Sequence, residues 1–428
     1  MVTLRMAKRI LALVLMGVLG GLMWDVQADA ACDQSTVQAQ INAATNGSTV
    51  LVTPANCSAT WGTVTITGKY ITLDGNSANI TRTSANSINV TVNSAGLTRV
   101  TNFDFSSSTS AFAPNSMVEI TNCTYSASSP NASFRIDHST FTANFLIGPF
   151  VNCHGRGLID HNVFTLSSGN EIIHVWGDPD AGWTDVVTPG SVDAVYIEDN
   201  TFNGQGGADK TASFYGARTI YRFNTFRSVE IDEHGTAGRV GARWWEIYNN
   251  NFDEQQEMDK CLQIRAGSGM AFNNTKTAAG NGCWLSYWEE DGGYPANYQV
   301  GRGKNQNLTP AYSWSNWTST VTIIDGSIQS NRDYYGVTGS FNGTSGMGVG
   351  TIAARPATCT ATVGYWATDE GEWWVAHAGA DGRLYTCTST NTWTLHYTPL
   401  IYPHPLQSGA TNTNDLTPPT APANLRVS

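Results

Sequence analysis

Three polar residues alternate along one short segment: Glu230, Asp232 and His234, interleaved with Val229 and Ile231. Side chains of a strand point alternately to its two faces, so with Val229 and Ile231 turned inward the three polar groups share the outer face. In a later segment Leu262 and Ile264 turned inward leave Gln263 and Arg265 outward. Adjacent strands lie about 4.8 Å apart, which lets Arg265 sit beside Asp232. His174, Trp176, Tyr215, Trp284 and Trp288 are expected to line the same surface above and below. Flat aromatic rings suit the faces of sugars, and carboxylates, His and Arg between them suit hydroxyl and acidic groups. Glu230 and Asp232 are hard oxygen donors of the kind calcium takes. His234 or Lys210 is the candidate base, and Arg265 or Arg243 the candidate cation for a substrate carboxylate.

Each feature has a plainer reading. Outward Glu and His on a repetitive scaffold also occur as solvated surface, and an exposed Arg265–Asp232 pair there carries little energy. His138 and His161 fall at turn positions and read as structural, as does His154 before a glycine. Glu289-Glu-Asp-Gly-Gly293 is a second acidic cluster, of a type that serves glycoside hydrolysis. Trp373, Trp374 and Trp393 read first as the core of a small module and second as a sugar platform. Asp369, Glu370 and Glu372 read as a solvated turn.

A repeat must position these groups. Two or three alternating apolar residues, then Asn or a substitute, then a small residue and an aromatic, recur along the chain. Examples are Phe134-Arg-Ile-Asp-His-Ser-Thr-Phe141, Leu158-Ile-Asp-His-Asn-Val-Phe164 and Val195-Tyr-Ile-Glu-Asp-Asn-Thr-Phe202. Ile220-Tyr-Arg-Phe-Asn-Thr-Phe226 and Trp245-Glu-Ile-Tyr-Asn-Asn-Asn-Phe252 continue the series. The closing aromatics at 125, 141, 164, 202, 226 and 252 are 16, 23, 38, 24 and 26 residues apart. That suits a solenoid whose coils stack like on like, with loop insertions, the longest in the interval of 38. Asn suits the tight turns, because it tolerates the left-handed region, and successive Asn can form a ladder.

Composition agrees. Charged residues make up 13%, against about 25% in typical domains, and Gly is abundant, which disfavours long helices. The net charge of −11 and the absence of a basic run argue against nucleic acid as a partner. Residues 1–30 read as a secretory signal peptide, with Arg5, Lys8 and Arg9, an apolar stretch from Ile10 to Met23, and Ala28-Asp29-Ala30. The stretch is short for a membrane span. Asp29 disfavours a lipid anchor at Cys32. Eight cysteines in an exported chain suggest four disulfides, by proximity Cys32–Cys57, Cys123–Cys153, Cys261–Cys283 and Cys359–Cys387. Residues 31–330 are then the solenoid, and 331–407 a Trp-rich, disulfide-stapled β module. Residues 408–428 are a linker whose end looks like the start of a fibronectin type III segment.

The stretch Ser35 to Asn79 resembles the entrance to a pectate-lyase-like β-helix. Val37-Gln-Ala-Gln-Ile-Asn-Ala-Ala44 forms the cap helix, Gly47-Ser-Thr-Val-Leu-Val-Thr-Pro54 a first strand, and Tyr70-Ile-Thr-Leu-Asp-Gly75 the next. The resemblance covers roughly residues 33–330. It implies an all-β, right-handed single-stranded parallel β-helix with an N-terminal cap helix, followed here by a small antiparallel β module. Glu230-Ile-Asp232, His234 and Arg265-Ala-Gly267 also resemble the site of β-helical lyases of the chondroitinase B and alginate lyase type. There an acidic pair helps hold calcium and an Arg follows on the next coil. That likeness implies β-elimination on an acidic, uronate-containing extracellular polysaccharide, with Ca²⁺ as cofactor. The chain departs from the pattern in having no Lys at the family's catalytic spacing, Lys210 and Lys260 lying in preceding loops. The alternatives are a non-catalytic glycan-binding adhesin and a β-helical glycoside hydrolase. The protein is expected to be a secreted monomer without a membrane span.

Overall fold

The structure is a computed structural model. It describes residues 32–407, apart from 84–85, 94, 108–115, 123–132, 144–147, 153–154, 167–170, 206–208, 236–239, 254–259, 278–281, 291–295, 319 and 325–326. The signal segment, the Cys123–Cys153 pair, His154 and residues 408–428 lie outside the described residues.

The chain forms a parallel β-helix. From Ser133 to Lys276 each coil contributes two short strands to one large parallel sheet and a third to a second, ten-stranded parallel sheet; nearer the N-terminus Thr72–Arg82 and Leu97–Ser107 run through both positions as single strands. The coil beginning at Val195–Glu198 shows the pattern. A turn at Asp199-Asn200 leads to Thr201–Asn203, and a loop leads to Lys210–Phe214 in the second sheet. The next coil repeats it in register, Val195 beside Thr219, Phe202 beside Phe226 and Lys210 beside Glu230. Alternation leaves Val, Ile and Leu in a continuous core. The closing phenylalanines stack through it, with centroids 5.1, 4.9, 5.0, 4.6 and 5.2 Å apart from Phe105 through Phe141, Phe164, Phe202 and Phe226 to Phe252.

The turns carry an asparagine ladder, but the residue with positive φ is the one before the ladder Asn. His161, Asp199, Phe223, Asn249 and Asn273 hold φ between 53° and 59°. The following Asn162, Asn200, Asn224, Asn250 and Asn274 are buried. Each uses its side-chain oxygen to accept from the ladder residue of the preceding coil. Asn224 Oδ1 accepts from the Asn200 amide at 3.0 Å, while its Nδ2 donates to the Ile197 carbonyl at 2.8 Å and to Asn250 Oδ1 at 2.9 Å. Asn serves because one side chain accepts and donates at once. His138 and His161 precede the ladder positions, stack on each other at 5.0 Å, and bond Asp137 and Asp160; both are scaffold. Asn224→Ala strands several buried backbone groups and is expected to lower stability by about 3 kcal/mol. Urea unfolding measures it, and a loss under about 1 kcal/mol would mean that water replaces the ladder without penalty.

The open N-terminal end is closed by the helix Gln34–Ala43, which buries Val37 and Ile41. Side-chain amides stand in for the missing coil at the first strand of the ten-stranded sheet, Val64–Ile66. Gln38 accepts from the Thr65 amide at 2.7 Å and donates to the Thr65 carbonyl at 3.0 Å. This blunts an exposed sheet edge.

At the other end the large sheet runs to Tyr334–Gly336, a few residues past the expected boundary at 330. The C-terminal module is a four-stranded sheet of Met347–Gly350, Gly364–Ala367, Arg383–Ser389 and Thr392–Tyr397. It is the small antiparallel module expected, two of its three pairings being antiparallel and the first, Met347–Gly350 with Gly364–Ala367, parallel. It packs along the flank of the large sheet. Trp366, Trp373, Leu384 and Tyr397 share a second core with Tyr196, Ile220, Trp244, Tyr248, Phe272 and Trp314. Trp373 is therefore core rather than a sugar platform. The residues after the module return as a strap. Arg222, fully buried against Glu198, donates to the carbonyls of Leu400 at 2.7 Å and Ile401 at 3.2 Å. The His404 amide donates to Glu198 at 2.9 Å, and Arg135 reaches the Leu406 carbonyl at 3.4 Å.

Cys32–Cys57, Cys261–Cys283 and Cys359–Cys387 are disulfide-bonded as expected, which fits an oxidising compartment. No helix among the described residues is long and apolar enough to cross a membrane.

Candidate functional site

The ten-stranded sheet brings the expected cluster together on its outer face. Its consecutive strands Glu171–Trp176, Lys210–Phe214, Glu230–Glu233, Lys260–Ile264 and Trp284–Tyr287 come from five coils. Val229 and Ile231 point into the core, so Glu230 and Asp232 face outward. The register sets Lys210 beside Glu230, Gln263 beside Asp232 and Ser286 beside Gln263.

Asp232 is the hub. Arg265 Nε donates to its Oδ1 at 2.9 Å, Arg265 Nη2 donates to its Oδ2, and Lys210 Nζ lies 3.2 Å from the same oxygen. Arg265 Nη1 bonds Glu290, and the guanidinium lies 5.5 Å from the centroid of Trp288. Lys260 Nζ is 5.4 Å from that centroid, so both cations share one indole. On the other side His174 Nε2 is 2.7 Å from Glu171 Oε2, and Trp176 meets Tyr215 edge-on at 5.1 Å. The His234 ring packs on Phe214 at 4.2 Å. Trp284 is exposed.

The centre of this surface is buried rather than solvated. Asp232 is 0% exposed, and Glu230 and Arg265 are each 6% exposed. Low polarity then separates two carboxylates that stand two residues apart. Burial, with repulsion from Asp232, pushes Glu230 up to about 8, although Lys210, Lys260 and Arg265 oppose it. Asp232 is buried too, but Arg265, His234 and Lys210 outweigh the desolvation and hold it below its usual value. At neutral pH the face therefore presents an acid carrying its proton beside a paired carboxylate. Environments that push two carboxyls apart are how sites assign an acid and an anion to identical groups.

The expected calcium ligands do not form a cage for the ion. Both Asp232 oxygens face protein cations, Glu230 keeps its proton to about pH 8, and no group of three His, Cys, Asp or Glu converges among the described residues. Calcium asks for six to eight oxygens.

Arg243 stands elsewhere. It immediately precedes the large-sheet strand Trp244–Tyr248, and its guanidinium lies 5.3 Å from the Trp183 centroid. Two roles escaped the sequence reading. Glu290 sat in the Glu289–Gly293 cluster, but its tie to Arg265 depends on a loop no spacing rule fixes. Glu233 was legible, since alternation from Val229 and Ile231 turns it inward. There Glu233 Oε1 accepts from Thr219 Oγ1 at 2.7 Å, and burial pushes its carboxyl up to about 8.

Fold and site together define a parallel β-helix with a buried charge-and-indole face on its second sheet. Comparison with family models, curated proteins and solved structures finds no significant match.

Proposed function

We propose that the protein cleaves an acidic, uronate-containing polysaccharide by β-elimination on the outer face of the ten-stranded sheet. The supporting observation is the gathering of Lys210, Lys260 and Arg265 around Asp232 beside protonated Glu230, flanked by Trp176 and Trp288. A uronate carboxylate is stabilised by those cations, which makes the C5 proton more acidic. His234, half-buried at the rim, is the base that takes it. The C5–H electron pair becomes the C4–C5 double bond, the C4–O bond breaks, and the departing oxygen receives the proton of Glu230. Asp232 stays ionised and positions Arg265 and Lys210.

A second reading, glycoside hydrolysis, draws support from the split protonation of Glu230 and Asp232. The rival without catalysis is glycan binding by a surface adhesin. Incubation with alginate, pectate, glucuronan and chondroitin separates the three. Elimination leaves an unsaturated, ultraviolet-absorbing end on one fragment, whereas hydrolysis leaves only new saturated reducing ends. Binding without either product on any of the four would end the enzymatic reading.

A further inference from the structure

The reaction above leaves unused one aromatic side chain on the outer face of the ten-stranded sheet. Trp284 opens the strand Trp284–Tyr287 and is 47% exposed, the only exposed tryptophan among the described residues. Trp288, four residues on, is already engaged by Arg265 and Lys260. Leu285 and Tyr287 belong to the core, so alternation turns Trp284 outward with Ser286 and Trp288. The register sets Trp284 beside Lys260 on the side of the cluster. The strand that follows, Thr322–Ile323, pairs with Ser286 and Tyr287 and does not reach Trp284.

The backbone beneath this solvated ring is tightly fixed. Cys283 holds a φ of 69°, in the left-handed region that a residue with a Cβ enters at a cost. Three ties keep it there. Its disulfide with Cys261 reaches the neighbouring strand, Trp317 Nε1 donates to its carbonyl at 3.1 Å, and Lys276 Nζ donates to the Gly282 carbonyl at 3.1 Å. The neighbouring strand also carries a bulge at Cys261, since Lys260 pairs with Trp284 but Leu262 pairs with Leu285. Cys261 and Leu262 both enter the core, and the extra residue brings Lys260 alongside Trp284. Bulges re-aim side chains in this way. A ring so anchored gives up little freedom when a flat ligand lies against it.

We infer that Trp284 is a sugar platform outside the reacting unit, stacking on the apolar face of a ring further along the same polysaccharide chain. Trp284 stands two strands on from Glu230–Glu233, about 10 Å at the ordinary strand spacing, which is too far to touch the sugar whose bond breaks. The site therefore selects a chain of several units over a short fragment, and Trp284 is a positioning residue. This inference rests on reading the face as a uronate-polymer site.

The test compares disaccharide and hexasaccharide fragments of alginate, pectate, glucuronan and chondroitin on the whole protein. Where a fragment is cleaved the readout is KM, and where none is cleaved it is the Kd from calorimetry. Trp284→Ala alters a half-exposed side chain and is expected to keep the parental melting temperature. It is expected to raise the hexasaccharide value about tenfold while leaving kcat and the disaccharide value unchanged. Trp284→Tyr, which keeps a flat ring, is expected to restore most of the loss. Cleavage by the parent with no change in Trp284→Ala would overturn the platform and leave the reaction standing. Hexasaccharide binding that depends on Trp284 without any cleavage would uphold the platform and end the reaction. A parent that holds the hexasaccharide no more tightly than the disaccharide would also overturn the inference.

Discussion

Glu230→Gln is expected to fold as the parent does and to lose nearly all activity. In the folded protein Glu230 is held protonated up to about pH 8, so at neutral pH an amide of the same shape replaces a neutral group by a neutral group. Repulsion from Asp232 disappears with the substitution, and no buried cation loses its only partner, because Arg265 and Lys210 are held by Asp232. What the amide cannot do is deliver a proton to the departing oxygen. General acid catalysis contributes about 10²–10⁴ in rate, and kcat is expected to fall by that much while KM changes little. The wild-type profile is expected to decline as pH rises through about 8, where Glu230 loses its proton. A Glu230→Gln variant that keeps parental kcat would remove Glu230 from the mechanism and with it this account of the alkaline limb of that profile.

The second large effect concerns stability. Glu233, inside the coil, has a folded pKa of about 8 against a reference of 4.5. Below the unfolded value both states carry the proton and the residue contributes no pH dependence. Between about 4.5 and 8 the unfolded chain releases it while the folded chain retains it, so stability falls as pH rises. The full cost, reached above about 8, is (8 − 4.5) × 1.36, or about 5 kcal/mol. Glu233→Gln keeps an acceptor for Thr219 and removes the titration. The variant is expected to match the parent near pH 4 and to exceed it by several kcal/mol at pH 9. Urea midpoints at the two pH values give the comparison, and parallel pH dependences in parent and variant would show that Glu233 ionises freely in the folded state. Glu230 adds a slope of the same sign, so the variant is expected to remain somewhat pH-sensitive.

The scaffold was the legible part of the sequence because it is periodic. Stacked coils repeat the same environment, so Phe141, Phe164, Phe202, Phe226 and Phe252 announce one position many times over. Alternation also placed Glu230, Asp232, Gln263 and Arg265 on one face, since a pleat leaves a strand residue only two directions. Arg243 escaped the same logic: it lies at a corner, where alternation no longer specifies direction. Burial of the outer face was not legible either. Sequence marks Asp232 as pointing away from the coil's core, but its desolvation comes from neighbours such as Trp288 and Glu290, brought there by loops of no fixed period. The ladder shows a finer limit. Asn was read as the left-handed turn residue, yet Phe223 takes that conformation while Asn224 bonds, because the ladder needs an amide more than the turn needs one.

The strap that follows the module alters how the rod holds together. In a solenoid each coil senses only its neighbours, and coils can peel away singly from an end. Here one stretch of eight residues, 400–407, reaches Arg135, Glu198 and Arg222, which belong to coils that do not all touch one another. Releasing any of those coils means releasing the strap from the rest. The strap works as a longitudinal splint, turning a stack that could fray stepwise into a segment that yields all at once.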